Sequence, residues 1–245
     1  FSPPAIGVYL PKHPPPPPRT PVGTPRTPVG TVGEKMRECS ILSSAEFAEA
    51  KMLGAMAFIG QQEIRDFALA EATISEFLDG QVFLLEFGVW EGESMRFWAT
   101  GAPPSARLVG FDSFEGLSEA WPGTRMGAGF FSLEGKLPDV PQNVTLVAGW
   151  VEKTLGDFLE NTDISSVKLV HMDLDLYEPS LFVLTTLKPH LVSGTLILFD
   201  EYFGFPFWQV GEHRALQDSG VDFEYIAFTN GGKPHLVDQV LARVL

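Results

Sequence analysis

Four segments of this chain place carboxylates at the ends of apolar runs. The run Val82 to Phe87 leads through Glu86 into Gly88-Val89-Trp90-Glu91-Gly92-Glu93-Ser94, and Arg107 to Phe111 leads into Asp112-Ser113-Phe114-Glu115-Gly116. Val167 to Met172 is followed by Asp173-Leu174-Asp175-Leu176-Tyr177-Glu178, and Thr195 to Phe199 by Asp200-Glu201-Tyr202. A glycine turn between a strand and a helix lets backbone approach a ligand closely. Gly88 and Gly92 do not make the G-x-G-x-x-G of a dinucleotide turn. Glu86, just before Gly88, would repel a pyrophosphate and favour a ligand with sulfonium and ammonium charges. Asp112 lies 24 residues after Gly88, close to where doubly wound folds place an acid on ribose hydroxyls. The competing readings are a ligand-free glycine turn and a loop or capping carboxylate.

In an open α/β sheet the ligand lies beyond the carboxyl ends of the strands, so Asp173, Asp175, Asp200 and Glu201 fall on the same rim as Glu86 and Asp112. Carboxylates crowded there repel one another and would not all stay ionised. A hard divalent cation such as Mg²⁺ or Ca²⁺ relieves that, because it takes oxygen ligands. The alternative is that Asp173 and Asp200 cap the helices that follow. His171, on the same strand face as Asp173, and His213, in Gly211-Glu212-His213-Arg214, are the candidate general bases, since imidazole titrates near neutral pH. Each can equally be a structural histidine.

Positioning these groups requires alternating strands and helices. The apolar runs named above, with Val144 to Val147, read as buried parallel strands. Ser94 to Thr100, Val151 to Glu160, Ser180 to Leu187 and Gly211 to Asp218 read as the crossover helices. Phe223 to Phe228 and Val237 to Val244, joined through Asn230-Gly231-Gly232, read as a terminal antiparallel hairpin. Upstream, Ser43 or Ser44 is expected to cap a helix carrying Phe47, Met52, Met56 and Ile59, and a second helix is expected over Glu63 to Leu78, stopped by Asp79-Gly80. The fold expected is therefore α/β, a doubly wound Rossmann-like sheet with a C-terminal antiparallel hairpin, preceded by N-terminal helices. Residues 34–80 would hold those helices and residues 81–245 the main domain. Gly116 to Pro141, rich in glycine and aromatics, reads as an active-site lid or a surface excursion.

Residues 1–33 differ in kind. They carry the run Pro14 to Pro18 and the repeat Arg-Thr-Pro-Val-Gly at Arg19 and Arg26. Proline fixes φ and removes donors, so this leader is expected to be extended and disordered, either a linker or a ligand for an SH3-like partner. The chain of 245 residues has a formal net charge of -14, which disfavours nucleic acid and anionic membrane as partners. The single cysteine, Cys39, excludes an intrachain disulfide framework and fits a cytoplasmic location. No apolar run is long enough to span a membrane.

In combination, Glu86-Phe-Gly-Val-Trp-Glu-Gly, Gly110-Phe-Asp-Ser-Phe-Glu-Gly-Leu, Met172-Asp-Leu-Asp-Leu-Tyr-Glu and Phe199-Asp-Glu-Tyr resemble the macrocin O-methyltransferase (TylF-type) family, from about Phe83 to Val244 in unbroken order. The resemblance implies a class I methyltransferase using S-adenosyl-L-methionine, with Mg²⁺ bound and a hydroxyl of a sugar or other small natural-product acceptor as target. It implies donor contacts from Glu86, Gly88, Gly92, Ser94, Asp112, Ser113, Gly149, Trp150 and Asp173. Metal ligands would be Asp173, Asp200 and Glu201, with Asp175 in the same motif. Asp173 and His213 would be the catalytic residues. Two departures stand out. The family often has Asp where this chain has Glu201, and Trp90 replaces a glycine common in methyltransferases. A homo-oligomer is possible, through the N-terminal helices. The rival readings are a silent methyltransferase-like binding module and an NAD-dependent oxidoreductase.

Overall fold

A computed structural model describes residues 32–73, 82–164, 167–230 and 238–245. In chain order the elements are α1 (Val32–Lys51), β1 (Met56–Phe58), α2 (Gln61–Ala72), β2 (Val82–Phe87), α3 (Glu93–Gly101), β3 (Ala106–Asp112), β4 (Val144–Ala148), α4 (Val151–Asn161), β5 (Val167–Met172), α5 (Tyr177–Leu187), β6 (Leu196–Phe203), α6 (Glu212–Asp218), β7 (Phe223–Thr229) and β8 (Asp238–Val244). They build one eight-stranded sheet in the order β1-β7-β8-β6-β5-β2-β3-β4. Only β8 runs antiparallel to its neighbours, β6 and β7. This is the doubly wound sheet with its C-terminal hairpin.

Each face of the sheet has its own core, because alternate residues of a strand point to opposite sides. Phe83, Leu85 and Phe87 of β2 pack with Leu155 of α4, Val183 and Leu184 of α5 and Leu216 of α6. Leu84 points the other way, into Ile64 and Ala68 of α2 and Met95 and Trp98 of α3. Glu86 shares that second face, so a carboxylate is threaded into an apolar layer. It is 1% exposed, a placement tolerable only with full hydrogen bonding.

The N-terminal region departs from the sequence reading in three ways. First, α1 begins at Val32, within the stretch taken as leader, and Ser43 and Ser44 lie inside it rather than capping it. Their hydroxyls bond back to the carbonyl of Ser40, at 3.0 and 2.7 Å, which makes serine tolerable mid-helix. The same hydroxyls accept from Trp208 Nε1 at 3.1 Å and from the Gly204 amide at 3.0 Å, tying α1 to the far end of β6. Second, Met56 is not helical. The segment Met56–Phe58 is a short strand parallel to β7, a long-range pairing with no local signal. Third, α2 runs from Gln61 to Ala72, its start capped by Glu63, which accepts from the amides of Ile59 and Gly60. The proposed stop at Asp79-Gly80, the proline-rich leader up to residue 31 and the Gly231-Gly232 turn lie outside the described residues. Among the described residues, no helix is long and apolar enough to cross a membrane.

One boundary matters for the site. β6 continues through Phe203, so Asp200 and Glu201 lie within the strand and not after it. The ladder to β8 breaks between Phe199 and Phe203. Both acids nevertheless line the same cleft, and their side chains interact with each other.

Candidate functional site

A cleft of about 350 Å³ opens beyond the carboxyl ends of β2, β3, β5 and β6. Its lining includes Gly88, Ser94, Asp112, Ser113, Trp150, Asp173, Asp200 and Glu201. Those eight sequence-derived candidates are thus brought together. Glu86, Gly92, Gly149 and His213 are not on its surface.

The glycine turn is built by close approach. Gly88 sits at φ +91°, and a Cβ there would collide with the carbonyl oxygen of Asp173. The Gly88 amide donates to Phe111 O and the Asp173 amide to Phe87 O, at 2.9 and 2.8 Å, so three strand ends are locked together at this point. Asp112 then organises the loop. Its Oδ2 accepts from the amides of Val89 and Trp90, both at 2.7 Å, and its Oδ1 from Phe114 at 2.6 Å. The ribose acid expected from spacing is therefore also the clamp of the turn it faces. Gly149, at φ +134°, donates to Asp112 O at 2.9 Å and delivers Trp150 into the cleft at the start of α4.

Glu86 works behind the turn. Its oxygens accept from Ser94 Oγ at 2.8 Å and Trp98 Nε1 at 2.8 Å, and lie 2.9 Å from His171 Nδ1. His171 Nε2 approaches Asp200 Oδ1 at 3.4 Å, and Arg65 Nη2 donates to the same oxygen at 3.0 Å, as does Gln239 Nε2. Burial alone would strip the proton from His171, but the hydrogen bonds to Asp200 and Glu86 and their charges outweigh it, raising its pKa to about 10. It is an imidazolium held between two acids, not a base. Burial pushes the Asp200 carboxyl up, but His171 and Arg65 hold it well below the usual carboxylate range.

On the other side of Asp173 the balance reverses. Burial, then the charge of Asp200, raises the Asp173 carboxyl well above normal, with His171 opposing. Burial and the charges of Asp200 and Asp112 raise Asp175 to about 7, at a backbone φ of +63°. Glu201 is raised by burial and by Asp200 and Asp173, and its buried Oε2 has no hydrogen-bond partner. Glu212, fully buried, braces this side. It accepts from the amides of Leu174 and Glu201 at 3.1 and 3.3 Å, and burial with the Asp175 charge lifts it to about 8.

Two sets of candidate ligand atoms lie within 4.8 Å of one another: His171, Asp173 and Asp200, and Asp173, Asp175 and Glu201. The expected trio Asp173, Asp200 and Glu201 is split between them, with Asp173 common to both. An acid crowd with an unpartnered buried oxygen and no cation of its own fits a hard divalent ion on the Asp173, Asp175 and Glu201 side. The His171 side is already neutralised.

His213 is elsewhere. Its ring packs against Phe47, Tyr202 and Trp208 with centroids 5.0, 5.2 and 4.8 Å away. Burial lowers its pKa to about 4, with the Gln209 carbonyl opposing. A lowered folded pKa means stability that is present above the unfolded value and lost as pH falls towards the folded one. The window is therefore roughly pH 6.5 down to 4. Between pH 7 and pH 5, His213→Phe is expected to lose less stability than the parent, by up to about 2 kcal/mol. Urea unfolding at both pH values checks this, and parallel losses would show that His213 does not titrate there.

Arg65, Gln61, Glu212 and Gln239 were missed by the sequence reading. Arg65 and Gln61 come from α2 and reach the cleft across 135 residues in the Arg65–Asp200 pair, a relation with no local signal. Glu212 carried one, as an acid at the start of a short helix, but only tertiary packing reveals its burial.

Residues 85–202 match the family model described as a methyltransferase domain. Among solved structures, the calicheamicin methyltransferase CalS11 is similar at 23% identity, over 86% of this chain and 89% of that one, with a TM-score of 0.54. The O-methyltransferase NovP aligns at 24% identity over 75% and 78%, TM-score 0.47. An O-methyltransferase from Bacillus cereus, solved in complex with SAH, aligns at 15% over 89% and 94%, TM-score 0.48. No curated protein matches the chain. The matched domain and the shared fold agree in marking residues 85–202, which carry most of the cleft lining, as the methyltransferase-like part of the chain.

Proposed function

We propose that the protein transfers the methyl group of S-adenosyl-L-methionine to a hydroxyl of a small, sugar-like acceptor, assisted by Mg²⁺. The observation that carries this reading is Asp173, which lines the cleft beside the Gly88 turn and belongs to both groups of candidate metal ligands. Support for the acceptor class comes from the resemblance of the motifs and from the similarity to the calicheamicin methyltransferase CalS11.

In this reading the Gly88 turn, Ser94, Asp112, Ser113 and Trp150 hold the donor, and Glu86 acts indirectly by fixing Ser94. Asp200, the third ligand expected from sequence, is already engaged by Arg65, His171 and Gln239. Mg²⁺ would be held by Asp173, Asp175 and Glu201. Bound there, the ion would lower the pKa of the acceptor hydroxyl and fix its oxygen. The cleft holds that oxygen near the methyl carbon, at about 3 Å in a near-attack arrangement. The oxygen forms the new C–O bond as the C–S bond breaks, with its electrons going to sulfur. Asp173 takes the hydroxyl proton as the C–O bond forms. His213 is outside the cleft, and His171 already carries its proton.

Calorimetric titration with S-adenosylhomocysteine, with and without Mg²⁺, tests the reading. Micromolar binding is expected, together with a separate Mg²⁺ isotherm that disappears in Asp173→Ala. Absence of binding by a folded sample, confirmed by equilibrium dialysis, would leave a binding module in place of an enzyme.

A further inference from the structure

The fold keeps Trp90 in solvent at some expense. Trp90 is 45% exposed, and its backbone sits at φ +45°, a region where a tryptophan is strained. The Asp112 carboxylate pins it there through the Trp90 amide. Phe131, also left-handed at φ +68°, meets it edge to face at 5.2 Å, and both line the cleft. An aromatic pair held in strained backbone and left partly in water contributes little to the core. Such outliers gather where a ligand binds.

The charges around this pair have one sign. Glu91, Glu93 and Glu152 line the mouth of the cleft, all exposed, and none forms an ion pair among the described residues. Among those residues the only cation lining the cleft is Arg65, already paired with Asp200 at 3.0 Å. The donor brings a single net positive charge, fewer than the mouth carboxylates alone. Glu91, Glu93 and Glu152 belong to neither group of candidate metal ligands, so their charge is not used up when the ion is bound. The field of such a cleft repels an anionic acceptor, a nucleotide-linked sugar included, and concentrates cations. Aromatic faces beside carboxylates suit an ammonium group, which both attract.

We infer that the acceptor hydroxyl belongs to a compound that also carries a protonated amine, of the amino-sugar kind, with the amine seated between the Trp90–Phe131 pair and the mouth carboxylates. The inference rests on the methyltransferase reading and narrows its acceptor.

The test uses the full chain saturated with S-adenosylhomocysteine and Mg²⁺, titrated with three methyl glycosides: a neutral hexose, its 2-amino analogue and its uronic acid. The amine is expected to bind at least about tenfold more tightly than the neutral sugar, and the uronic acid most weakly. Raising salt from about 50 to about 500 mM should narrow the preference. Trp90→Leu should lower the amine-to-neutral ratio several-fold, a readout that general loss of affinity does not move. An amine that binds no better than the neutral sugar, or not at all, overturns the inference. Binding of S-adenosylhomocysteine in the same sample separates the two levels. Its loss removes the methyltransferase reading, whereas its retention without amine preference removes only the acceptor assignment.

Discussion

Asp173→Asn loses methyl transfer by roughly a hundred- to ten-thousandfold while the protein stays folded and keeps its affinity for S-adenosylhomocysteine; that is the expected result. The backbone of Asp173 is fixed independently of its side chain, by the amide that donates to Phe87 O at 2.8 Å. The carboxyl itself makes no hydrogen bond to another described residue, so an isosteric amide breaks nothing. Burial and the Asp200 charge already penalise its ionised form. Asparagine removes one member of the crowd and relieves Asp175 and Glu201, so the thermal midpoint should be unchanged or higher in the absence of Mg²⁺. Methyl transfer, calorimetry and thermal unfolding on one preparation read all three quantities. Activity near that of the parent would remove Asp173 from the chemistry, and loss of fold and donor binding together would make its role structural.

Glu86→Ala separates a different pair of roles. The substitution leaves Ser94 Oγ, Trp98 Nε1 and the His171 imidazolium facing an apolar hole. Removing one partner of a fully buried ion pair costs about 3–5 kcal/mol, because the remaining charge is left uncompensated. Urea unfolding should show a loss of that size. Glu86→Gln, which keeps hydrogen-bonding capacity but not charge, should lose less. If Glu86 were instead a direct donor ligand, stability would barely change and affinity for S-adenosylhomocysteine would drop.

The contrast between these two acids shows what was legible in the sequence. The strands β2, β3, β4 and β5 could be placed within a residue, because buried parallel strands are short apolar runs with polar ends. Asp112 and Asp173 were found because sheet geometry sends whatever follows such a strand to one rim. Glu86 was marked for the right neighbourhood, but its face depended on strand periodicity: it alternates with Phe87 and so points away from the cleft, towards Trp98. Asp200 and Glu201 are adjacent in sequence and both reach the cleft, but Asp200 is also engaged by Arg65, His171 and Gln239, partners far along the chain. Arg65 and β1 carried no usable signal, since each depends on a partner far along the chain. Ser43 and Ser44 misled because a serine that bonds back to its own helix looks, in sequence, like a cap.

The sheet order also constrains when the molecule can assemble. β1 sits at one edge beside β7, and α2 packs where Arg65 meets Asp200, 135 residues away; Arg243 of β8 pairs with Glu71 of α2 across 172. During synthesis α2 therefore emerges well before Asp200 and Arg243, its partners across the sheet. The central strands β2 to β5 can pair early through right-handed crossovers. β1 can be placed only after β7 has appeared. Closing such long loops is slow, so the edge of the sheet made by β1, β7 and β8 is the last part to form.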